Sequence, residues 1–97
     1  MNIQAMMKQA QALQKDMLKA KKELDEKEFT GESSLVKVVM TGDKSVKSVT
    51  INDKENLEKD DLEILEDMIM VAFNDAIKKI DKATEDKMGK FNVPGMF

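Results

Sequence analysis

The sequence predicts an α+β protein in which a long N-terminal helix precedes a three-stranded antiparallel β-meander and a long C-terminal helix. Three observations predict this class. Apolar residues recur every three or four positions over 3–27, β-branched residues cluster within 28–51, and a second helical pattern covers about 60–88. No repeat or change of composition divides the 97 residues, so we expect a single domain over 1–97 with a flexible tail at 89–97.

The first helix carries two faces of different chemistry. Its apolar residues follow the a/d spacing of heptads, and Asn2 can cap its first turn. This seam fits either an intermolecular coiled coil or packing against the second helix of the same chain. Met7 and Leu18 lie off the seam and indicate a second, smaller contact surface. The seam consists of Ile3, Met6, Ala10, Leu13, Met17, Ala20 and Leu24, and the outward face carries Lys8, Lys15, Lys19 and Lys22.

The middle of the chain predicts three short strands with tight connections. Residues 28–32, 35–40 and 46–51 are the strand candidates, and the last two are rich in β-branched side chains. Short links favour antiparallel pairing, and residues 41–44 supply turn chemistry, with Gly42 able to take a positive φ. Because three strands are not stable alone in water, we expect the helices to cover one face of the sheet.

The second helix is expected to begin near Asp60 or Asp61, with Asp60 and Glu63 as a capping box. Its section 64–73 is apolar on most sides, which predicts burial against both the sheet and a partner chain. The two helices offer more apolar surface than one small sheet can cover, and this indicates an oligomer. The predicted interface and core residues are Met6, Leu13, Met17, Leu24, Leu65, Ile69 and Phe73.

The residue inventory argues against catalysis. The chain has no His and no Cys, so the usual residues for acid–base work at neutral pH, thiolate attack and zinc binding are missing. We therefore predict a protein that is not an enzyme and has no catalytic residues, metal, cofactor or small-molecule substrate. No signal-peptide pattern or membrane-spanning run is present, so we expect a cytoplasmic protein without a membrane partner.

Charge is strongly segregated along the chain. Residues 1–22 hold five lysines and one acid (net +4), residues 52–75 hold two lysines and nine acids (net −7), and residues 76–97 hold five lysines and three acids (net +2). All 16 basic residues are lysines. The overall charge of −3 therefore does not decide whether the partner of this protein is an anion.

Five motifs in register resemble the YbaB/EbfC family of bacterial nucleoid-associated proteins. Residues 7–11 read MKQAQ, 30–38 contain TGE followed by LVKV, 61–67 read DLEILED, 72–76 read AFNDA, and 94–97 read PGMF. The resemblance spans essentially the whole chain. Three departures are the missing arginines, a shortened segment at Ser33-Ser34 in place of a glycine-rich stretch, and Asn52-Asp53 in place of Asp-Pro.

The resemblance implies an intertwined homodimer with projecting helical arms that binds duplex DNA and alters its conformation in the nucleoid. Lysine without arginine favours contacts to the phosphate backbone and low sequence specificity. The alternative is an adaptor for recombination or replication machinery that does not bind DNA directly, favoured by the acidic middle and the nine methionines. The expected DNA-binding residues are Lys8, Lys15, Lys19, Lys22, Lys78, Lys79, Lys82 and Lys87.

Overall fold

The computed structural model describes residues 2–89 and confirms the predicted order of elements. Two short 3₁₀ turns at Lys54–Asn56 and Lys59–Asp61 join the sheet to the second helix. The predicted Pro-Gly ending and Lys90 lie outside the described residues. The elements are α1 (Ile3–Glu26), β1 (Glu28–Ser33), β2 (Val36–Thr41), β3 (Val46–Ile51) and α2 (Leu62–Met88).

Both helices begin at capped turns. The side chain of Asn2 accepts a hydrogen bond from the Gln4 N–H at 3.1 Å, as the sequence predicts for α1. At α2 the predicted Asp60–Glu63 capping box is wrong. Glu58 and Asp61 form the box instead, and the Asp61 carboxylate accepts the Glu58 N–H at 2.9 Å. The box lies two residues earlier because a 3₁₀ turn precedes the helix and begins the helical path there.

The three strands form one antiparallel sheet in the order β1-β2-β3, and α2 packs across one face of it. Alternate residues of β2 point toward α2, as the two-residue period of a strand requires. The main core therefore lies between β2 and the middle of α2. Its fully buried side chains are Val36, Val38, Met40, Ala72, Ala76 and Ile80.

Two glycines allow close approach between a helix and the sheet. A Cβ atom at Gly31 would lie 2.1 Å from the Ala72 carbonyl oxygen and 2.5 Å from the Ala76 nitrogen, so β1 and α2 meet backbone to backbone. A Cβ atom at Gly42 would lie 1.9 Å from the Leu24 carbonyl oxygen. The positive φ of that turn falls on Lys44 and not on Gly42. A glycine is needed at position 42 because a side chain there would overlap the backbone of Leu24.

Side chains of α2 cover the outer edge of β1. The Asp75 carboxylate accepts the Glu32 N–H at 3.0 Å, and the Lys79 ammonium donates to the Thr30 carbonyl oxygen at 2.7 Å. The same two side chains form an ion pair at 3.2 Å. The Glu32 N–H, followed by Lys79, lowers the pKa of Asp75 below its usual value of 3.8. One edge of the sheet is thus closed to further strand pairing.

Only the C-terminal part of α1 packs on α2. Ala20 and Leu24 are buried against Met88, and Glu23 pairs with Lys87 at 2.9 Å. Residues 3–16, which we call the arm, continue past this contact. The molecule therefore measures 72 Å along its longest axis but only 19 and 14 Å across. Within residues 2–89, neither helix combines the length and apolarity needed to cross a bilayer.

Candidate nucleic-acid interface

The most prominent polar feature of α1 is a row of lysines, which we call the lysine stripe (Lys8, Lys15, Lys19 and Lys22). Successive residues of an α-helix turn by about 100°, so positions seven apart lie nearly above one another. Lys8, Lys15 and Lys22 consequently form one line about 21 Å long at a rise of about 1.5 Å per residue. All four side chains are exposed, and none takes part in an ion pair within residues 2–89.

The packing of α1 determines which way the lysine stripe faces. Met17, Ala20 and Leu24 of the seam contact α2, and the stripe lies on the opposite side of the helix. The C-terminal end of the seam thus packs against the second helix of the same chain and not in an intermolecular coiled coil. Its N-terminal end stays uncovered, with Met6 and Leu13 51% and 55% exposed. The lysine stripe is thus held away from the body of the protein and reaches beyond it.

The lysines predicted on α2 divide into two pairs. Lys78 and Lys82 are exposed and free of ion pairs among the described residues. Lys79 is bound to Asp75 and Thr30, and Lys87 is bound to Glu23. Both lysines of the second pair therefore already have partners within the chain. Contact of these two lysines with a ligand would compete with the bonds they already make.

The structure does not bring the two lysine sets onto one surface within a chain. Ala83 and Met88 mark the side of α2 that faces α1. By the step of about 100° per residue, Lys78 and Lys82 point away from that side. The lysine stripe of α1 also points away from the helix–helix contact. A single copy thus presents two separate basic surfaces, and that of α1 is longer and lies on the arm.

The predicted interface residues lie in three environments, the first of which is the arm, where Met6 and Leu13 are exposed. Leu24 is buried and Met17 half-buried between the helices, while Leu65, Ile69 and Phe73 pack partly exposed around the main core. Two apolar residues on the sheet that the sequence did not predict as part of an interface, Val46 and Val49, are 47% and 46% exposed. Val49 pairs with Val38 and Val46 with Met40, so both lie on the same sheet face as the core residues of β2.

An uncovered apolar surface results from the position of α2. Asp75 and Lys79 lie over the outer edge of β1, so the opposite flank of α2 faces β3. This flank carries Phe73 and Ile77, which are half-buried. We call the combination of this flank with Val46 and Val49 the β3-side face. Val46 and Val49 are three positions apart in β3 and share this face only because of a bulge opposite Val39 and Met40, so a strand pattern read from the sequence did not reveal them.

A cluster of acidic residues lies at the end of the molecule opposite to the arm. Residues 53–67 hold eight acids and two lysines, and none of them forms an ion pair with another described residue. No group of three or more acidic residues within 2–89 has the geometry to hold a metal ion. Asp75, in the AFNDA motif, binds the backbone of β1, and its neighbour Asn74 is exposed. The two ends of the protein therefore carry charge of opposite sign.

Comparisons with known proteins agree with the motifs. Residues 1–96 match the model of the YbaB/EbfC DNA-binding family. A nucleoid-associated protein of Enterococcus faecalis is 43% identical over 97% of this chain and 93% of its own length. A nucleoid-associated protein of Streptococcus thermophilus is 50% identical over 94% of this chain and 93% of its own length.

A solved structure shares the fold. The crystal structure of an uncharacterized protein from Helicobacter pylori superposes with a TM-score of 0.75 at 17% identity, covering 96% of this chain and 99% of that chain. At this identity the match concerns the fold alone. The family model and the bacterial relatives, by contrast, cover nearly the whole sequence. This chain belongs to the YbaB/EbfC DNA-binding family of nucleoid-associated proteins.

Proposed function

We propose that two copies of this chain form a homodimer that binds duplex DNA through the lysine stripes of its arms, with low sequence specificity, and alters the conformation of DNA in the nucleoid. One observation carries the proposal: four exposed lysines without ion partners in residues 2–89 line the face of α1 that points away from the body. An ordinary solvated helix face is usually interspersed with acids, whereas Asp16 is the only acid among residues 1–22.

The dimensions of the stripe suit a phosphate backbone. Its line of about 21 Å spans about six base steps at the rise of about 3.4 Å per step along one strand. Each lysine is a flexible point charge that can follow the phosphates but cannot grip a guanine edge in the bidentate manner of arginine. Since the chain contains no arginine, binding by counterion release is expected to exceed base readout.

The net charge of −3 by itself opposes binding to DNA, which is also negative, but positive and negative residues are segregated along the chain. The acids of residues 53–67 lie around the N-terminal end of α2, whereas the arm projects beyond its C-terminal end. The separation exceeds the Debye length of about 8 Å at physiological salt, so the acids repel DNA at the arm only weakly. A protein that is acidic overall can in this way present a basic surface to DNA.

The homodimer is supported by the β3-side face. Phe73 and Ile77 on α2 and Val46 and Val49 on β3 form a wide apolar area that a single chain leaves open. Stable interfaces typically bury about 800 Å² on each partner. The accessible surface of the chain, 7430 Å², is about a third larger than the roughly 5,600 Å² expected for a compact monomer of this mass. A dimer would also place two arms on one particle and double the lysine stripe.

The test compares two variants with the same change of charge. K8Q/K15Q/K22Q neutralises the straight line of the stripe, and K37Q/K54Q/K59Q neutralises three equally exposed and unpaired lysines elsewhere among residues 2–89. Fluorescence anisotropy of a labelled duplex measures both. Three lost phosphate contacts weaken binding by about 100-fold or more near 0.1 M salt, while the control is expected to bind within a few-fold of the original protein.

Two results would contradict the proposal in different ways. If both variants bind DNA like the unchanged protein, the lysine stripe is not the binding site. If the unchanged protein does not bind duplex DNA even at low salt, direct binding is refuted. The second result would favour an adaptor that serves recombination or replication machinery through its acidic end.

A further inference from the structure

An apolar groove lies at the acidic end of the molecule, where α2 begins. Leu35 from the β1–β2 turn, Leu57 from the connecting loop, and Ile64 and Met68 from α2 form its walls. Its volume is about 210 Å³. Because a cavity of about 150 Å³ accommodates benzene, this groove can hold one or two aliphatic side chains. Ile64 is 55% exposed, so the groove is an unfilled apolar surface within the described part of the chain.

Negative charge surrounds this groove. Asp53 and Asp61 are among the residues that line it, and residues 53–67 carry a net charge of −6 from eight acids and two lysines. No acid of this segment is neutralised by an ion pair within 2–89. The groove therefore selects an apolar side chain that is flanked by positive charge, since opposite potentials guide recognition.

The arm of α1 has this chemistry. Met7 is 56% exposed and lies on the helix between the apolar seam and the lysine stripe, next to Lys8 in sequence and about 12 Å along the axis from Lys15. Residues 3–15 contain no acidic residue. Met7 belongs to neither the intrachain contact nor the lysine stripe, so neither the fold nor the proposed DNA binding uses it. Its unbranched side chain suits an irregular pocket.

A chain cannot fill its own groove with its own arm. The groove lies at the N-terminal end of α2, and α1 packs at the C-terminal end of that helix, which is 27 residues or about 40 Å long. The arm then extends further away from the groove along the 72 Å axis of the molecule. The matching surfaces can therefore meet only between two copies.

We propose that the arm of one copy inserts Met7 into the groove of another copy, with Lys8 and Lys15 near the acids around the groove. The contact is head-to-tail and leaves a free arm and a free groove at its ends. Each contact joins two unlike surfaces and is therefore heterologous, so copies that use it one after another form open assemblies. The contact needs no DNA, and it is separate from the β3-side face, so it forms whether the basic unit is one copy or two.

Sedimentation velocity of the full chain without DNA tests the proposal. At about 50 mM salt we expect the weight-average sedimentation coefficient to rise with protein concentration, and at about 500 mM salt we expect the rise to disappear because the charges are screened. Ile64→Lys removes the groove and Met7→Glu removes the insert. Either change alone is expected to abolish the rise. Both positions are exposed, and circular dichroism verifies that the variants fold.

A mixing experiment distinguishes this contact from any symmetric one. The Ile64→Lys variant retains its arm and the Met7→Glu variant retains its groove, so an equimolar mixture is expected to regain an association that neither shows alone. Val71→Lys is the matched control, because Val71 lies about two turns along the same side of α2, is 50% exposed and does not line the groove. It is expected to leave association unchanged.

Three results would overturn the proposal. They are a protein that does not associate beyond its basic unit at low salt, an association that survives Ile64→Lys or Met7→Glu, and a mixture that does not regain association. The first would leave the groove to a foreign segment of the same apolar and basic chemistry.

Discussion

The contact between β1 and α2 can be tested by adding a single methyl group at Gly31. The new Cβ atom would lie 2.1 Å from the Ala72 carbonyl oxygen, 2.5 Å from the Ala76 nitrogen and 2.8 Å from the Ala76 Cβ atom. Two of these atoms belong to the helix backbone, so no side-chain rotation relieves the overlap. To restore ordinary contact, α2 must move away from the sheet by more than about 1 Å, which separates packed surfaces.

The expected cost follows from what this movement breaks. It strains the Asp75 and Lys79 bonds to β1 and loosens the packing of Ile80 on β2. Overpacking typically costs about 1–3 kcal/mol, and a backbone clash lies at or above the upper end. A loss of about 3 kcal/mol lowers the melting temperature of a domain of this size by about 12–24 °C.

Thermal unfolding followed by circular dichroism measures the effect, at one protein concentration for all variants because association shifts the melting temperature. Gly89→Ala is the matched control, since a Cβ atom there meets nothing within 4 Å and the backbone is helical. It is expected to be neutral or slightly stabilising. If Gly31→Ala melts within about 3 °C of the unchanged protein, less than the smallest expected loss would give, α2 does not lie on β1 as described.

Three further predictions concern the core, the sheet edge and the dimer. Ile80 is 1% exposed. In urea titrations, Ile80→Ala is expected to lower the free energy of unfolding by about 2–5 kcal/mol and Ile80→Val by only about 0.5–1.5 kcal/mol. Equal losses in the two variants would contradict tight packing of this side chain. Folding lowers the pKa of Asp75 from its usual value of 3.8. The stabilisation of the folded state by the Asp75 carboxylate is therefore fully present above pH 3.8 and is lost as the pH falls through the folded pKa. The stability difference between the unchanged protein and Asp75→Asn should therefore shrink in acid, and a difference that is constant down to pH 2 would refute the assignment. Val49→Lys, on the β3-side face, should shift the proposed dimer to a monomer in sedimentation equilibrium, whereas Thr50→Lys on the other face should not; a dimer that persists in Val49→Lys would place the interface elsewhere.

Much of the fold could be predicted because local signals and tertiary packing agree. The alternating valines of β2 and the Asn2 cap of α1 specify their elements without long-range information. Long-range contacts could not be predicted in this way. Local turn chemistry suggests that Gly42 provides conformational freedom, but the structure requires a glycine there because of the backbone of Leu24, which is distant in sequence.

The candidate site, too, could be predicted only where it depends on local sequence. The lysine stripe follows from the period of one helix, so its geometry could be anticipated. The roles of Lys79 and Lys87 could not, because their partners, Thr30, Asp75 and Glu23, are determined by how α2 meets β1 and α1. The exposure of Val49 likewise depends on how far α2 extends across the sheet.

The salt dependence of duplex DNA binding shows whether the lysine stripe contacts phosphates. Anisotropy titrations of the unchanged protein between about 50 and 200 mM salt give the slope of log K against log salt, which is about −0.9 for each phosphate contacted. One stripe of four lysines predicts a slope of about −3.6, and two stripes on a dimer predict about −7.2, with affinities for AT-rich and GC-rich duplexes within a few-fold of each other. A slope shallower than about −1, or strong preference for one sequence, would contradict DNA binding by the lysine stripe.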